Sequence, residues 1–237
     1  MFRKDYIRLA DAIKDSKLDE INKIEFNNNK INVRLNGLLR IDKEFYPNGN
    51  LKFISNKFEN FEEEVQYIIN HERRNKFIRN LALDLKGNTL ILFARVEGHG
   101  EPLYHMINNN TVDERQVFFV HGGVDTKDRE KVREITEQEN NAIIVASYGT
   151  FSTGINIKNL HNVIFASPSK SRIRNLQSIG RVLRKGNNKT KATLYDIADD
   201  ISYKSRRNYT LNHLIERIKV YNEENFNYDI VNIPLKN

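Results

Sequence analysis

An α/β fold is what this sequence predicts: a parallel sheet flanked by helices, with a small α+β segment ahead of it. Three observations carry that reading. Five apolar runs, TLILFA (89–94), QVFFVH (116–121), AIIVAS (142–147), NVIFAS (162–167) and ATLYDI (192–197), are too short and too rich in β-branched and aromatic residues for helices. They are continuous rather than alternating, as strands covered on both faces are. Each is followed by polar or helix-like sequence of useful length, so right-handed crossovers can place helices on both sides of the sheet.

The elements follow in order. Residues 3–18 read as a short helix. KIEF, KINVRL, LLRIDKEF and LKFIS then stand apart at Asn-rich and Asn-Gly breaks. Asn and Gly supply the positive φ of a tight turn, so these segments predict a small antiparallel sheet and a first unit over 1–55. From residue 56 onward a second, larger unit is expected. Phe61, Val65, Ile68, Ile69, Phe77, Ile78, Leu81 and Leu85 recur at helical spacing, giving one or two helices before the first buried strand. Glu62, Glu63 and Glu64 read as the solvated start of the first. Asp199 and Asp200 read as the cap of a last helix over 202–222.

Composition narrows the function classes. A chain of 237 residues is long enough to bury a substantial core. No apolar stretch approaches the ~18 residues of a spanning helix, so the sequence points away from a membrane. There is no cysteine, which removes disulfides and thiolate metal sites and fits a reducing compartment such as the cytoplasm. Lys and Arg number 38 against 31 Asp and Glu, a net charge of +7 that favours a polyanionic partner through counterion release. A metal site is not expected: His99 and His105 lie six apart, off the i, i+4 spacing of a helical pair.

In parallel sheets ligands sit at the carboxyl ends of the strands, and three of those ends carry unusual sequence. After the second run stands His121-Gly122-Gly123-Val124-Asp125, two glycines that let a backbone approach another chain and an aspartate placed to cap the next helix. The plainer reading is a tight turn. After the third run, Ser147-Tyr148-Gly149-Thr150-Phe151-Ser152-Thr153-Gly154-Ile155-Asn156 is dense in small donors and exposed backbone, the materials of a phosphate-holding loop; the plainer reading is a polar linker. Between the fourth and fifth runs lies QSIGRVLR (177–184). On a helix Gln177, Arg181 and Arg184 share one stripe while Ile173, Leu176, Ile179 and Leu183 turn elsewhere. Two guanidinium forks on one face suit a phosphate or a carboxylate. An amphipathic helix with a solvated basic face gives the same pattern.

Taken together and in this order, TLILFARVEGHG, HGG, SYGTFSTGIN and QSIGRVLR resemble the second RecA-like lobe of the superfamily 2 helicases over about residues 75–200, and especially the recombination and branch-migration helicases of T-even phages. The resemblance implies a RecA-like sheet. It implies that Arg181 and Arg184 act as arginine fingers on a nucleotide held by another lobe, with Gln177 beside them. It implies that Gly154 and Asn156 face the nucleotide and that Gly122, Ser147 and Thr150 meet the nucleic-acid backbone. The cofactors implied are ATP and Mg²⁺, bound mainly by a first lobe in cis or trans. The implied partner is DNA, or RNA–DNA hybrids and branched junctions, in the cytoplasm, a host cell's for a phage protein. Two positions depart from the family pattern: Asn156 stands where Asp is usual, and Ser147 stands seven residues before Gly154 where Thr is usual six before. The 237 residues hold no G-x-x-x-x-G-K-[ST] and no DEAD-type box. The chain is thus expected to be half of a helicase, a fragment or a split-gene product, with a non-catalytic nucleic-acid-binding or regulatory module as the rival reading.

Overall fold

All five apolar runs form strands, and all five strands are parallel. The computed structural model describes residues 35–36, 42–45, 51–54, 58, 60–112, 115–154, 157, 159–168, 192–202 and 207–234, of which 35–36, 42–45, 51–54, 152–154 and 234 are described by their backbone alone. In chain order the described elements are β1 (Leu35–Asn36), β2 (Asp42–Phe45), β3 (Leu51–Ile54), α1 (Phe61–Ile69), α2 (Glu72–Asp84), β4 (Thr89–Phe93), a π-helical turn (Val96–Gly100), α3 (Glu101–Asn108), β5 (Val117–Val120), α4 (Thr126–Gln138), β6 (Ile143–Ser147), α5 (Tyr148–Gly154), β7 (Asn162–Phe165), β8 (Thr193–Asp196), α6 (Tyr209–Glu223) and β9 (Ile233–Pro234). The helix expected at 3–18 lies outside the described residues. Of the expected antiparallel segments, β2 and β3 pair antiparallel, whereas β1 pairs in parallel with β9.

The main sheet runs β5-β6-β4-β7-β8. Successive side chains on a strand face opposite ways, and the core divides accordingly. Leu90, Leu92, Ile144, Ala146, Val163 and Phe165 pack with Tyr148, Phe151 and Tyr221 on one face. Ile91, Phe93, Ile143, Val145 and Ile164 pack with Ile78, Ala82, Leu103 and Ile107 on the other. The chain leaves β4 toward one edge of the sheet by way of β5, and leaves β6 toward the other by way of β7. The order therefore reverses between β4 and β6, and in open α/β sheets a crevice opens at such a point.

Local sequence explains the helix ends. Asn60 caps α1 by accepting from the Glu63 amide at 2.9 Å, and Asp125 caps α4 by accepting from the Lys127 amide at 2.8 Å. The π-helical turn ends at Gly100, where a Cβ would meet the Phe93 ring at 2.5 Å; only glycine permits that approach.

Two expectations are corrected. Glu62 and Glu63 are exposed, but Glu64 is buried, and its carboxylate accepts from the amides of Tyr209 (2.8 Å) and Thr210 (2.7 Å) and from Asn208 Nδ2 (3.0 Å). A negative charge is favourable against the unpaired amides of a helix start, so Glu64 holds the amino end of α6 from across the fold. Asp199 and Asp200 do not cap that helix, which begins at Tyr209 rather than 202. Asp199 instead pairs with Arg74 at 2.8 Å, and Asp200 accepts from the Ser202 amide at 3.1 Å.

Candidate functional site

Strand register brings the expected loops to one edge. Val120 is aligned with Ala146, Ala146 with Leu92, Leu92 with Phe165, and Phe165 with Asp196. The exits at His121, Ser147, Ala94, Ala166 and Ile197 therefore stand side by side along the carboxyl rim.

At the β5 exit the Val124 amide donates to the His121 carbonyl at 3.0 Å, closing the turn. Gly122 at its tip is exposed, with no atom within 4 Å of where a Cβ would stand. At the β6 exit Ser147 serves as the cap of α5: its Oγ receives the Thr150 amide at 3.3 Å and lies 2.7 Å from Thr150 Oγ1. Thr150 is buried behind this pair, while Gly149 between them is exposed and has open space at its α-carbon. An anion arriving from solvent would meet the Gly149 backbone and the half-buried Ser147 before it met Thr150. Gly154 is the last residue of α5. Asn156, Gln177, Arg181 and Arg184 lie outside the described residues.

Beneath the rim lies a polar network that the sequence did not disclose. Ser167, at the exit of β7, receives the Ala94 amide at 3.1 Å through Oγ, and its carbonyl receives the Tyr148 hydroxyl at 3.1 Å. His99 is buried, with Nδ1 2.7 Å from Ser167 Oγ and Nε2 3.1 Å from Asn75 Oδ1. Asn75 Nδ2 already donates to the Ile69 carbonyl, so Oδ1 is the acceptor, Nε2 carries the imidazole proton and Nδ1 accepts from the Ser167 hydroxyl. Burial first, and the neighbouring Arg74 cation second, press the His99 pKa down to about 3. The ring is therefore a neutral strut. Arg74, fully buried, donates to Asp199 at 2.8 Å and to the Ala166 carbonyl at 2.7 Å. These side chains join α2, the π-helical turn and the exits of β4, β6, β7 and β8 into one frame. At the end of β8, Arg217 grips Asp196 with two bonds of 2.6 and 2.9 Å, and Tyr221 donates to the same carboxylate at 2.8 Å.

The sequence could have hinted at this frame only through charged and polar residues falling at helical core positions. Arg74 and Asn75 share the buried face of α2 with Ile78 and Ala82. Among the described residues no three His, Asp or Glu side chains gather as metal ligands, and no helix is long and apolar enough to cross a membrane.

Comparison with known proteins agrees with this architecture. Residues 72–186 match the helicase conserved C-terminal domain. The chain is 40% identical over 192 residues to the ATP-dependent DNA helicase UvsW of Enterobacteria phage T4, a match covering 76% of this chain and 38% of that protein. It is 32% identical over 147 residues to L396 of Acanthamoeba polyphaga mimivirus, described as an ATP-dependent RNA helicase, covering 58% of this chain and 26% of that one. The crystal structure of T4 UvsW superposes with a TM-score of 0.65 over 76% of this chain and 38% of its own. The C-terminal domain of the DEAD-box protein Dbp5, at 16% identity and a TM-score of 0.51, covers 70% of this chain and 86% of its own and shares the fold. The chain thus spans well under half the length of the two curated relatives. Residues 72–186 thus carry a helicase conserved C-terminal domain, built on a five-stranded parallel sheet of RecA-like fold.

Proposed function

We propose that this chain is the C-terminal lobe of an ATP-dependent helicase that acts on DNA in recombination, branch migration or repair, and that it works by gripping the nucleic-acid backbone while presenting arginines to a nucleotide bound elsewhere. The observation that carries the proposal is the shared rim: register places the Gly122 turn and the Ser147 turn on adjacent strands, each offering small residues and backbone to solvent. Backbone and hydroxyl groups at such a rim suit phosphate oxygens, which fix register along a strand without reading sequence. Gly122, Ser147 and Thr150 are assigned to that contact, Thr150 acting through the hydroxyl pair it makes with Ser147.

Gly154 and Asn156 are assigned to the nucleotide, and Arg181 and Arg184, with Gln177, to its phosphates. When bound, ATP with Mg²⁺ supplies the phosphoryl transfer that drives the cycle. The role proposed for the arginines is to lie against charge that shifts during that transfer, for which a planar fork is suited. A companion lobe, in cis or trans, is assigned the grip on the β- and γ-phosphates and on Mg²⁺.

Titration of the isolated chain with a labelled single-stranded oligonucleotide at several salt concentrations tests the reading. Weak, sequence-tolerant binding is expected, with log K falling linearly against log salt as phosphate contacts displace counterions. Affinity that stays flat between ~50 and ~200 mM salt would remove the basis of the proposal.

A further inference from the structure

The turn at the β5 exit begins with an imidazole, His121. His121 Nδ1 receives the Gly123 amide at 3.2 Å. That bond occupies the Nδ1 lone pair, so in the neutral ring the proton sits on Nε2. Among the described residues Nε2 has no hydrogen-bond partner. The ring is also held in place. It rests on Phe119 with centroids 5.1 Å apart, and Phe119 is stacked in turn against Phe93 (5.6 Å) and Tyr104 (5.2 Å). At the ring's Nδ1–Cε1 edge Gly123 lies so close that a Cβ there would stand 3.0 Å from His121 Cε1. A half-buried imidazole is thus held by an aromatic stack and by a glycine at its edge, beside the open backbone of Gly122.

We infer that His121 is a further nucleic-acid-binding residue, donating its Nε2 proton to a backbone phosphate oxygen of the strand that passes over Gly122. Three features favour this. The donor is preformed, because the Gly123 bond selects the tautomer. Its position is fixed by packing, so little rotamer entropy is lost on binding. It stands one residue from an exposed glycine on the rim, where no side chain screens an approaching backbone. With the ring uncharged, the contact to the anionic phosphate oxygen adds affinity without releasing a counterion. This inference rests on the nucleic-acid reading of the rim proposed above.

Two substitutions separate a donor from a stacking surface. His121→Phe keeps a ring on Phe119 and removes the donor, whereas His121→Gln removes the ring and keeps an N–H at a similar reach. Fluorescence anisotropy with a labelled oligothymidylate measures both, with thermal unfolding checking that each variant folds. His121→Phe is expected to bind about three- to tenfold more weakly, the worth of one hydrogen bond. His121→Gln is expected within about twofold of the parent, and all three proteins should share one slope of log K against log salt. Parent-like or tighter binding by His121→Phe overturns the inference, as does a His121→Gln that is as weak as the Phe variant. In either case the parent titration still supports the rim itself. An unmodified chain that fails to bind the oligonucleotide removes both proposals together.

Discussion

At the scale of single residues, buried polar groups decide how the rim is held. His99 illustrates the energetics. Its folded pKa of about 3 lies below the 6.5 of a free imidazole, so below pH 6.5 the unfolded chain takes up a proton that the native ring refuses. The sign follows: above pH 6.5 the shift has no effect on stability, and as pH falls from 6.5 toward 3 stability is lost. At pH 4.5 the loss from this one group amounts to roughly 2 to 3 kcal/mol. Urea unfolding of the parent and of His99→Gln at pH 7.5 and 4.5 measures it. The variant is expected to be less stable at pH 7.5 yet to lose less than the parent on acidification; equal losses would show that His99 does not set the acid limb. Gly100 makes a steric counterpart. Gly100→Ala would drive a methyl into the Phe93 ring at 2.5 Å, and a cost of roughly 1 to 3 kcal/mol is expected in the same assay.

At the scale of elements, α6 depends on a carboxylate supplied by another helix. Glu64 lies in α1 and takes two amides of the first turn of α6 together with the Asn208 side chain. Glu64→Ala would strand those donors in a buried place and is expected to cost about 2 to 4 kcal/mol, with Glu64→Gln costing less because one oxygen remains. Chemical denaturation gives the totals. Hydrogen exchange locates the loss: amides in the first turn of α6 should exchange faster in Glu64→Ala, while those of β4 and β6 follow global stability. Uniform acceleration across the sheet and α6 alike would argue that Glu64 holds the whole domain rather than the start of one helix.

At the scale of the whole molecule, the lobe is expected to lack a catalytic cycle of its own. The 237 residues include no phosphate-binding loop, so the isolated chain should show no ATP turnover above background, with or without nucleic acid. Activity that survives repurification would contradict this. Joined to an ATP-gripping lobe, Arg181→Ala or Arg184→Ala is expected to cut turnover by orders of magnitude while leaving nucleic-acid affinity nearly intact, because the loss falls on transition-state charge rather than on backbone contacts. Lysine replacements sharpen the test, since they keep the charge and lose the planar fork. If Arg181→Lys and Arg184→Lys both turn over ATP at the parent rate, QSIGRVLR is a basic helix and no more.

The sequence by itself determined the sheet. Strands buried on both faces must be continuously apolar, so TLILFA, AIIVAS and NVIFAS announced their state and, through the crossovers between them, their direction, whereas QVFFVH and ATLYDI, read the same way, form the half-buried edges of the sheet. It also determined which loops fall at the carboxyl rim, because a parallel strand has only one such end. What it could not disclose was any partnership between residues far apart in the chain. Glu64 in a run of three glutamates looks solvated, and Asp199 beside Asp200 looks like a cap; periodicity reports how a residue faces its own helix, not which distant amide or guanidinium waits there. Only the tertiary structure set Glu64 on the start of α6, Asp199 on Arg74 and His99 on Ser167, since a buried charge or imidazole takes the partner that packing brings within reach.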